Sequence, residues 1–453
     1  MNWKDKHNVF FIGIGGIGMS ALAYHMLSIG KAVYGYDRIP SLLTDQLISK
    51  GVHVVFDQSV STIPDSCNTV ENTLVIYTPA IPLEHPQLNY FKDNGFQVCK
   101  RSLVLGYLSH ETFCIAVGGT HGKTTTSTLL AHLLMTNNSS FTAFLGGISE
   151  NYQSNYLNNG SELMLVEADE FDRSFLTLDA DMACVTSVDA DHLDIYHSEN
   201  DLMSSFSAFV AKVNDRNNLF HHFDLSFQGM TYGVEVAANF VSEVNKIAQG
   251  VFEFNLIHPN GMIKDLKATL PGRHNLANTT AACAMALKLG CDEGAIRKGL
   301  ESFSGVQRRF SYQIKSGHVT YIDDYAHHPS EIDAIFNAVS EMYPNSIVAV
   351  VFQPHLFSRT RDFANDFASS LAKFDRVFLL PIYPAREKQI EGITSEWLLD
   401  MIENAHKKLI QKSEIAMSFI ESEASVCLTL GAGDIGLEVK SIVSHLNNHY
   451  ELG

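Results

Sequence analysis

The sequence predicts an α/β protein of three domains: a Rossmann-like N-terminal domain over residues 1–109, a central P-loop domain over 110–304 and a Rossmann-like C-terminal domain over 305–453. Three observations predict it. At roughly 150 residues per domain, 453 residues exceed what one core organises. Short apolar runs alternate with helical patterns along the chain, the rhythm of parallel, doubly wound sheets. Glycine-rich turns follow apolar strands at Gly13, Gly118 and Gly431, at the strand ends where such sheets bind ligands.

In the first domain the strands are predicted at Val9–Ile14, Ala32–Tyr36, Val52–Phe56, Thr73–Tyr77 and Phe96–Cys99, with helical segments between them. The second opens with the strand Phe113–Val117, a glycine-rich turn and a helix near Lys123–Met135, then the strands Leu163–Val166 and Met182–Thr186. Val251–Ile257 and Met262–Leu270 flank Pro259-Asn260-Gly261, a turn signal for an antiparallel hairpin before a helix at Asn275–Leu289. The third has strands at Val319–Ile322, Ile347–Phe352, Arg376–Leu380 and Val426–Leu430. Asn137–Ser140 and Asn151–Gly160 read as polar loops.

Composition narrows the function. A net charge of -18 opposes binding to a polyphosphate backbone, so nucleic acid is not an expected partner; small phosphate ligands need only a few amides and one or two cations. The apolar stretch Val9–Leu27 is interrupted by four glycines, Ser20 and His25, which argues against a membrane span or signal peptide. The 7 cysteines are scattered without metal or redox spacing and read as reduced core thiols. A cytoplasmic location is expected.

Between the second domain's first strand and helix lies Gly118-Gly119-Thr120-His121-Gly122-Lys123-Thr124-Thr125, where small residues let amides wrap phosphate oxygens. This makes the domain P-loop ATPase-like, with Gly119, Thr120, His121, Gly122, Lys123, Thr124 and Thr125 as nucleotide-binding candidates. Lys123 is expected on the β/γ-phosphates and the Thr124 hydroxyl on Mg²⁺. Val117 stands where the strict pattern has glycine. The strand Leu163–Val166 delivers Glu167-Ala168-Asp169-Glu170, with Glu167 the first choice for a Walker-B-like metal ligand. Asp189-Ala190-Asp191-His192-Leu193-Asp194 follows another strand, and His192 is a candidate for a second cation or its ligands. Gly13-Ile14-Gly15-Gly16-Ile17-Gly18, followed 19 residues later by Asp37, fits a dinucleotide fingerprint and, equally, any diphosphate.

Gly-Thr-His-Gly-Lys-Thr-Thr, Glu-Ala-Asp-Glu and Asp-His-Leu-Asp, in this order, resemble the Mur ligases of peptidoglycan synthesis, and the resemblance spans the chain: Pro271-Gly272-Arg273-His274-Asn275, Asp323-Asp324-Tyr325-Ala326-His327-His328-Pro329 and the N-terminal glycine turn match too. With Phe352-Gln353-Pro354-His355 and Arg359-Thr360-Arg361, the chain is most similar to the branch that adds the first amino acid, L-alanine, to UDP-N-acetylmuramate with ATP and Mg²⁺. The resemblance implies adenine contacts from His274 and Asn275, ATP phosphate contacts from Arg308 or Arg309, and ribose or phosphate contacts near Asp324 and His328. It makes Lys123, Glu167, His192 and Arg309 the catalytic candidates, and Thr124, Glu167 and His192 the metal candidates. It turns the first glycine turn toward UDP, with Gly15, Gly16, Ile17, Gly18, Met19, Ser20, Asp37, Thr78, Pro79 and Ala80 lining the site. His274 and Asn275 have a plainer reading as a helix cap, and Arg308 and Arg309 as a solvated pair.

Two departures matter. Where the alanine-adding branch often has arginine after His355, this chain has Leu356, so the amino-acid carboxylate falls to His355, Arg359 or other groups, with Tyr325 as a further candidate. Leu202–Val210 contains no lysine, so no carbamoylated lysine is expected. The chemistry agrees with a ligase: phosphorylation turns one oxygen of a carboxylate into a leaving group that an amine displaces, and closure of the domains is expected to exclude water from the acyl phosphate. Rival readings are the related ligase that reattaches recycled tripeptide, an NAD-dependent oxidoreductase and a nucleotide-gated binding protein.

Overall fold

In a computed structural model the described residues are 3–189, 196, 198–248, 250–385 and 387–451. They divide into two compact units, residues 1–241 with 280–302, and 242–279 with 303–453. Among the described residues no helix is long and apolar enough to cross a membrane.

The first unit begins with a parallel sheet of β1 (Asn8–Ile12), β2 (Ala32–Tyr36), β3 (His53–Val55), β4 (Thr73–Tyr77) and β5 (Gln97–Lys100), in the order β3-β2-β1-β4-β5. Every residue of β1 is buried, as expected for a central strand covered on both faces. β1 ends before the predicted Ile14 because Gly13 turns at φ 88, and Gly13 and Ile14 both donate their N–H to the Tyr36 carbonyl. The helices are α1 (Ile17–Ser28), α2 (Leu42–Ser49), α3 (Pro86–Asp93) and α4 (Arg101–Ser109).

The same unit contains β6 (Phe113–Gly118), α5 (Lys123–Thr136), β7 (Phe141–Ser149), β8 (Ser154–Asn158), β9 (Leu163–Ala168), β10 (Met182–Val185), α6 (Glu199–Val210), β11 (Leu219–His222) and β12 (Met230–Val234). Its strands run β12-β11-β10-β6-β9-β7-β8, parallel through β7 and antiparallel at β8. Finding β8 corrects the reading of Asn151–Gly160 as a loop. Asn155 and Leu157 are buried on one face, and the Asn155 side-chain NH₂ donates to the Ile17 carbonyl and the Ser20 hydroxyl. A polar strand therefore survives because its partners come from α1, far away in sequence.

The second unit starts within β13 (Phe240–Ala248) and holds β14 (Val251–His258) and β15 (Gly261–Ala268), which form the predicted antiparallel hairpin. α7 (Arg273–Lys288) starts here and continues into the first unit, where α8 (Glu293–Ser302) follows. The sheet of β16 (Ser311–Lys315), β17 (Thr320–Asp324), β18 (Val348–Phe352), β19 (Arg376–Leu379), β20 (Lys407–Leu409) and β21 (Val426–Leu430) has the order β16-β17-β21-β18-β19-β20. Only β16 is antiparallel to its neighbour. α9 (Pro329–Met342) and α10 (Phe357–Asp362) begin just beyond the ends of β17 and β18, so they bring the third-domain motifs to one rim. All 7 cysteines are buried free thiols.

Candidate active site

At the end of β6 the chain makes a tight loop, with Gly119 at φ 137 and Gly122 at φ 82. A Cβ on Gly119 would lie 2.1 Å from the Thr186 hydroxyl, so glycine is required by close approach as well as by conformation. Thr120 N donates to Ser187 O at 3.0 Å, and His121 N to the Ser187 hydroxyl at 2.8 Å. The Thr120 and His121 amides thus brace the loop against the segment after β10. The amides of Gly122, Lys123, Thr124 and Thr125, at the start of α5, are the ones that geometry directs at a phosphate.

Lys123 is 13% exposed at its side chain and lies 2.9 Å from one carboxylate oxygen of Glu170 and 2.8 Å from the other; it also donates to the carbonyls of Gly119 and Thr120. Desolvation opposes its charge, but Glu170, then Glu167 and Asp169, outweigh it and hold the ammonium above its ordinary pKa. Glu170, only 1% exposed, is the partner of Lys123, a role that the Glu-Ala-Asp-Glu motif does not single out. Glu167 instead accepts the Gly146 N–H at 3.1 Å, and a Cβ on Gly146 would lie 2.2 Å from the same carboxylate oxygen. The Glu167 carboxylate thus packs directly on Gly146, a contact that no local motif announces. Thr124, Glu167, Asp169 and Glu170 supply only oxygen, the chemistry that suits Mg²⁺. Among the described residues no three His, Cys, Asp or Glu side chains converge on a metal, and Mg²⁺ is ordinarily held by one or two protein oxygens with waters and substrate phosphates. His192, the third metal candidate, lies outside the described residues.

The first glycine turn, Asp37 and Thr78–Ala80 meet at the ends of β1, β2 and β4, where the sheet's connections diverge. A Cβ on Gly13 would lie 2.9 Å from the Thr78 methyl. Asp37 accepts the N–H of Gly15 and of Arg38, each at 2.7 Å, so its carboxylate buttresses the turn. The Met19 and Ser20 side chains are both buried, and the Ser20 hydroxyl is held by Asn155 and donates to the Ile17 carbonyl.

In the second unit, His274 and Asn275 lie in the first turn of α7, where Asn275 donates to the Pro271 carbonyl at 2.7 Å. A cavity of about 420 Å³ is lined by Arg273, His274, Ala334, Asn337, Ala338 and Glu341, and desolvation lowers the His274 pKa to about 4, against the pull of Glu331. A neutral imidazole on a cavity wall suits a flat, uncharged ring such as adenine. His328 caps α9, with its Nδ1 against the Ser330 hydroxyl at 2.7 Å and the Ser330 amide at 3.4 Å. Asp324 likewise anchors backbone, accepting from Phe310 N at 2.6 Å and Ala326 N at 2.7 Å.

Burial raises the Asp324 pKa to about 6, against the opposing pull of Arg309 and the two amides. The folded value exceeds that of an unfolded aspartate, so the native state holds the proton more tightly. The stability this adds is complete below about pH 4 and is lost as pH rises through about 6, up to ~3 kcal/mol. Asp324→Asn is expected to flatten that part of the pH dependence, measured as denaturation midpoints from about pH 4 to 7. Identical slopes in both proteins would remove the assignment.

Arg308 donates to Asp323 at 3.0 Å and to the carbonyls of Gly431 at 2.6 Å and Gly433 at 3.4 Å. Its guanidinium therefore ties the ends of β17 and β21 together and holds the turn that begins at Gly431. Arg309 lies 3.7 Å from Glu331 and, like Arg308, stacks its guanidinium 5.2 Å from the Tyr325 ring centre. Arg359, 8% exposed, has Nη1 at 3.5 Å from His355 Nδ1. His355 stacks on Tyr383 at 5.8 Å and 17°, and meets His327 edge-on at 6.1 Å. Tyr325, His327, His355, Arg359 and Tyr383 thus form one aromatic and cationic cluster at the rim. Tyr383, which no motif marks, arrives because its segment bridges to His355 and accepts the Leu356 N–H at 2.9 Å. Leu356 itself sits at φ 71, strained for a branched residue.

Comparison with known proteins matches the chain to three profiles: the Mur ligase family, catalytic domain, over residues 8–112; the Mur ligase middle domain over 117–286; and the Mur ligase, glutamate ligase domain, over 308–433. A Flavobacterium psychrophilum protein named UDP-N-acetylmuramate–L-alanine ligase is 53% identical over 447 residues, 99% of this chain and 100% of that protein. One of the same name from Flavobacterium johnsoniae is 50% identical over 449 residues, again 99% and 100% of the two chains. The crystal structure of a UDP-N-acetylmuramate–alanine ligase from Thermotoga maritima superposes with a TM-score of 0.82 at 28% identity, covering 98% of this chain and 99% of that one. A murein peptide ligase from Psychrobacter arcticus reaches 0.68 at 19% identity over 98% and 99%, a likeness of fold alone.

Proposed function

This chain belongs to the Mur ligase family, and from that premise we propose that it joins L-alanine to the lactyl carboxylate of UDP-N-acetylmuramate, with ATP and Mg²⁺, in the cytoplasmic synthesis of peptidoglycan precursor. The observation that carries the reading is Lys123, at the start of α5, set against the Glu167–Glu170 carboxylates at the end of β9. Full-length identity to proteins named for this ligation supports it.

In the first step a carboxylate oxygen attacks the γ-phosphorus and ADP leaves, giving an acyl phosphate; in the second the neutral amine of alanine attacks the acyl carbon and phosphate leaves. Both reactants of the first step are anionic, so the work of the site is positioning and charge neutralisation. Lys123 and the α5 amides hold the phosphates, and Arg309 offers a further cation. Mg²⁺, held by Thr124 and Glu167, would neutralise phosphate oxygens, with His192 as a second ligand or its support. The first glycine turn with Gly15–Gly18 and Thr78–Ala80 takes the UDP-sugar, and His274 and Asn275 the adenine. Tyr325, His355 and Arg359 take the amino acid; a carboxylate of one small residue needs a single cation nearby, and Arg359 supplies it where Leu356 does not. We assign residues 1–109, 110–304 and 305–453 to UDP-sugar, ATP and amino-acid binding.

Phosphate release with UDP-N-acetylmuramate, ATP and single amino acids tests the reading. L-alanine is expected to give the highest kcat/KM, above glycine and L-serine and well above L-alanyl-γ-D-glutamyl-diaminopimelate. A preference for the tripeptide, or no phosphate release at all, would overturn it.

A further inference from the structure

The sugar-nucleotide turn has a cationic neighbour that no motif identifies. Arg101, the first residue of α4, brings its guanidinium over Gly18: a Cβ there would lie 2.6 Å from Nη1 and 2.9 Å from Cζ. Gly18 sits in the first turn of α1, whose leading amides have no helical partners and point at the place a diphosphate would occupy. The other side of Arg101 faces the ATP-binding carboxylates, with Nη2 at 3.8 Å from Asp169. Arg101, Glu167 and Asp169 together line a water-sized cavity of about 10 Å³.

Packing fixes this position. The Thr177 hydroxyl donates to the Ser102 carbonyl at 2.9 Å, and a Cβ on Gly106 would lie 2.6 Å from the Thr177 carbonyl oxygen. α4 is thereby pressed on the segment that follows Asp169. The Arg101 side chain is 21% exposed, and its nearest carboxylate is at ion-pair rather than hydrogen-bond distance. A guanidinium carries five donors in a planar fork that matches phosphate oxygens, so it can serve an anion at Gly18 while keeping Asp169.

We propose that Arg101 binds the diphosphate of the UDP-sugar at the α1 turn and that Asp169 holds its guanidinium in place, so that one side chain spans the sugar-nucleotide turn and the carboxylates beside the phosphate loop. This rests on the reading of that turn as a UDP-sugar site. Gly18 does not need glycine for a positive φ, as Gly13 does; the missing side chain leaves room for Arg101.

Calorimetry on the full chain, with uridine and UDP as separate probes, tests the contact. Arg101→Gln is expected to weaken UDP about 10- to 100-fold while uridine affinity stays within about twofold, because only the charge-assisted contact is lost. Arg101→Lys should recover part of the loss, keeping the charge without the fork. In turnover, KM for UDP-N-acetylmuramate should rise by a similar factor and KM for L-alanine should not change. Equal losses for uridine and UDP would assign Arg101 to the fold, and unchanged UDP affinity in Arg101→Gln would end the proposal. If the wild-type chain binds neither probe, the UDP-sugar reading itself falls, which separates the two failures.

Discussion

Lys123→Ala is expected to lower phosphate release by ~10²–10³-fold at saturating substrate, because developing phosphoryl charge loses a preorganised cation. The structure adds a second consequence. Removal of Lys123 leaves Glu170, 1% exposed, without its ammonium, and breaking a buried pair from one side costs about 3–5 kcal/mol. A fall in activity alone would therefore confuse chemistry with folding. The paired variant Lys123→Ala with Glu170→Gln removes the stranded charge, and it should regain most of the denaturation midpoint while turnover stays low. Near-wild-type turnover in either protein would reject the phosphate assignment. Recovery of turnover along with stability would assign the lysine to the fold.

Arg308→Ala and Arg309→Ala should fail in opposite ways, although they are neighbours in sequence. Asp323, 1% exposed, would keep the Thr429 hydroxyl at 2.7 Å but lose the guanidinium, and the Gly431 carbonyl would lose a donor 2.6 Å away. Arg308→Ala is expected to destabilise by about 3 kcal/mol or more, read as a lower urea midpoint. Arg309 is partly exposed and lies 3.7 Å from Glu331, a looser pair. Arg309→Ala should stay within about 1 kcal/mol of wild type in stability, and reduce turnover by ~10²-fold, as expected for the loss of one transition-state cation. A stable but inactive Arg308→Ala would reverse the two roles.

Local chemistry was legible. Gly119 and Gly122 need positive φ, and strand, turn and helix follow one another within a dozen residues, so short-range sequence suffices to place the phosphate loop. The same holds for the first glycine turn and for the hairpin around Pro259-Asn260-Gly261, where a few residues' dihedral preferences decide the outcome. Less was legible wherever a side chain chooses among distant partners. The Glu-Ala-Asp-Glu run contains three carboxylates within four residues, and nothing in their order tells which meets Lys123. Strand alternation and the turn after β9 bring Glu170 to the lysine and turn Glu167 toward Gly146. β8 was missed for a related reason, since Asn155 is acceptable inside only because α1 supplies acceptors for its amide.

The sequence by itself determined the α/β blocks, the two glycine turns that follow β1 and β6, and the family, because each depends on periodicity, glycine conformation or a motif of a few residues. Only the tertiary structure decided that Arg308 ties strands together, that His328 and Asp37 hold backbone amides, that Tyr383 joins His355, and that Arg101 stands over Gly18. Hydrogen bonds and ion pairs are made or lost over a few tenths of an ångström. At that scale, what a charged side chain does depends on which distant groups packing brings within reach.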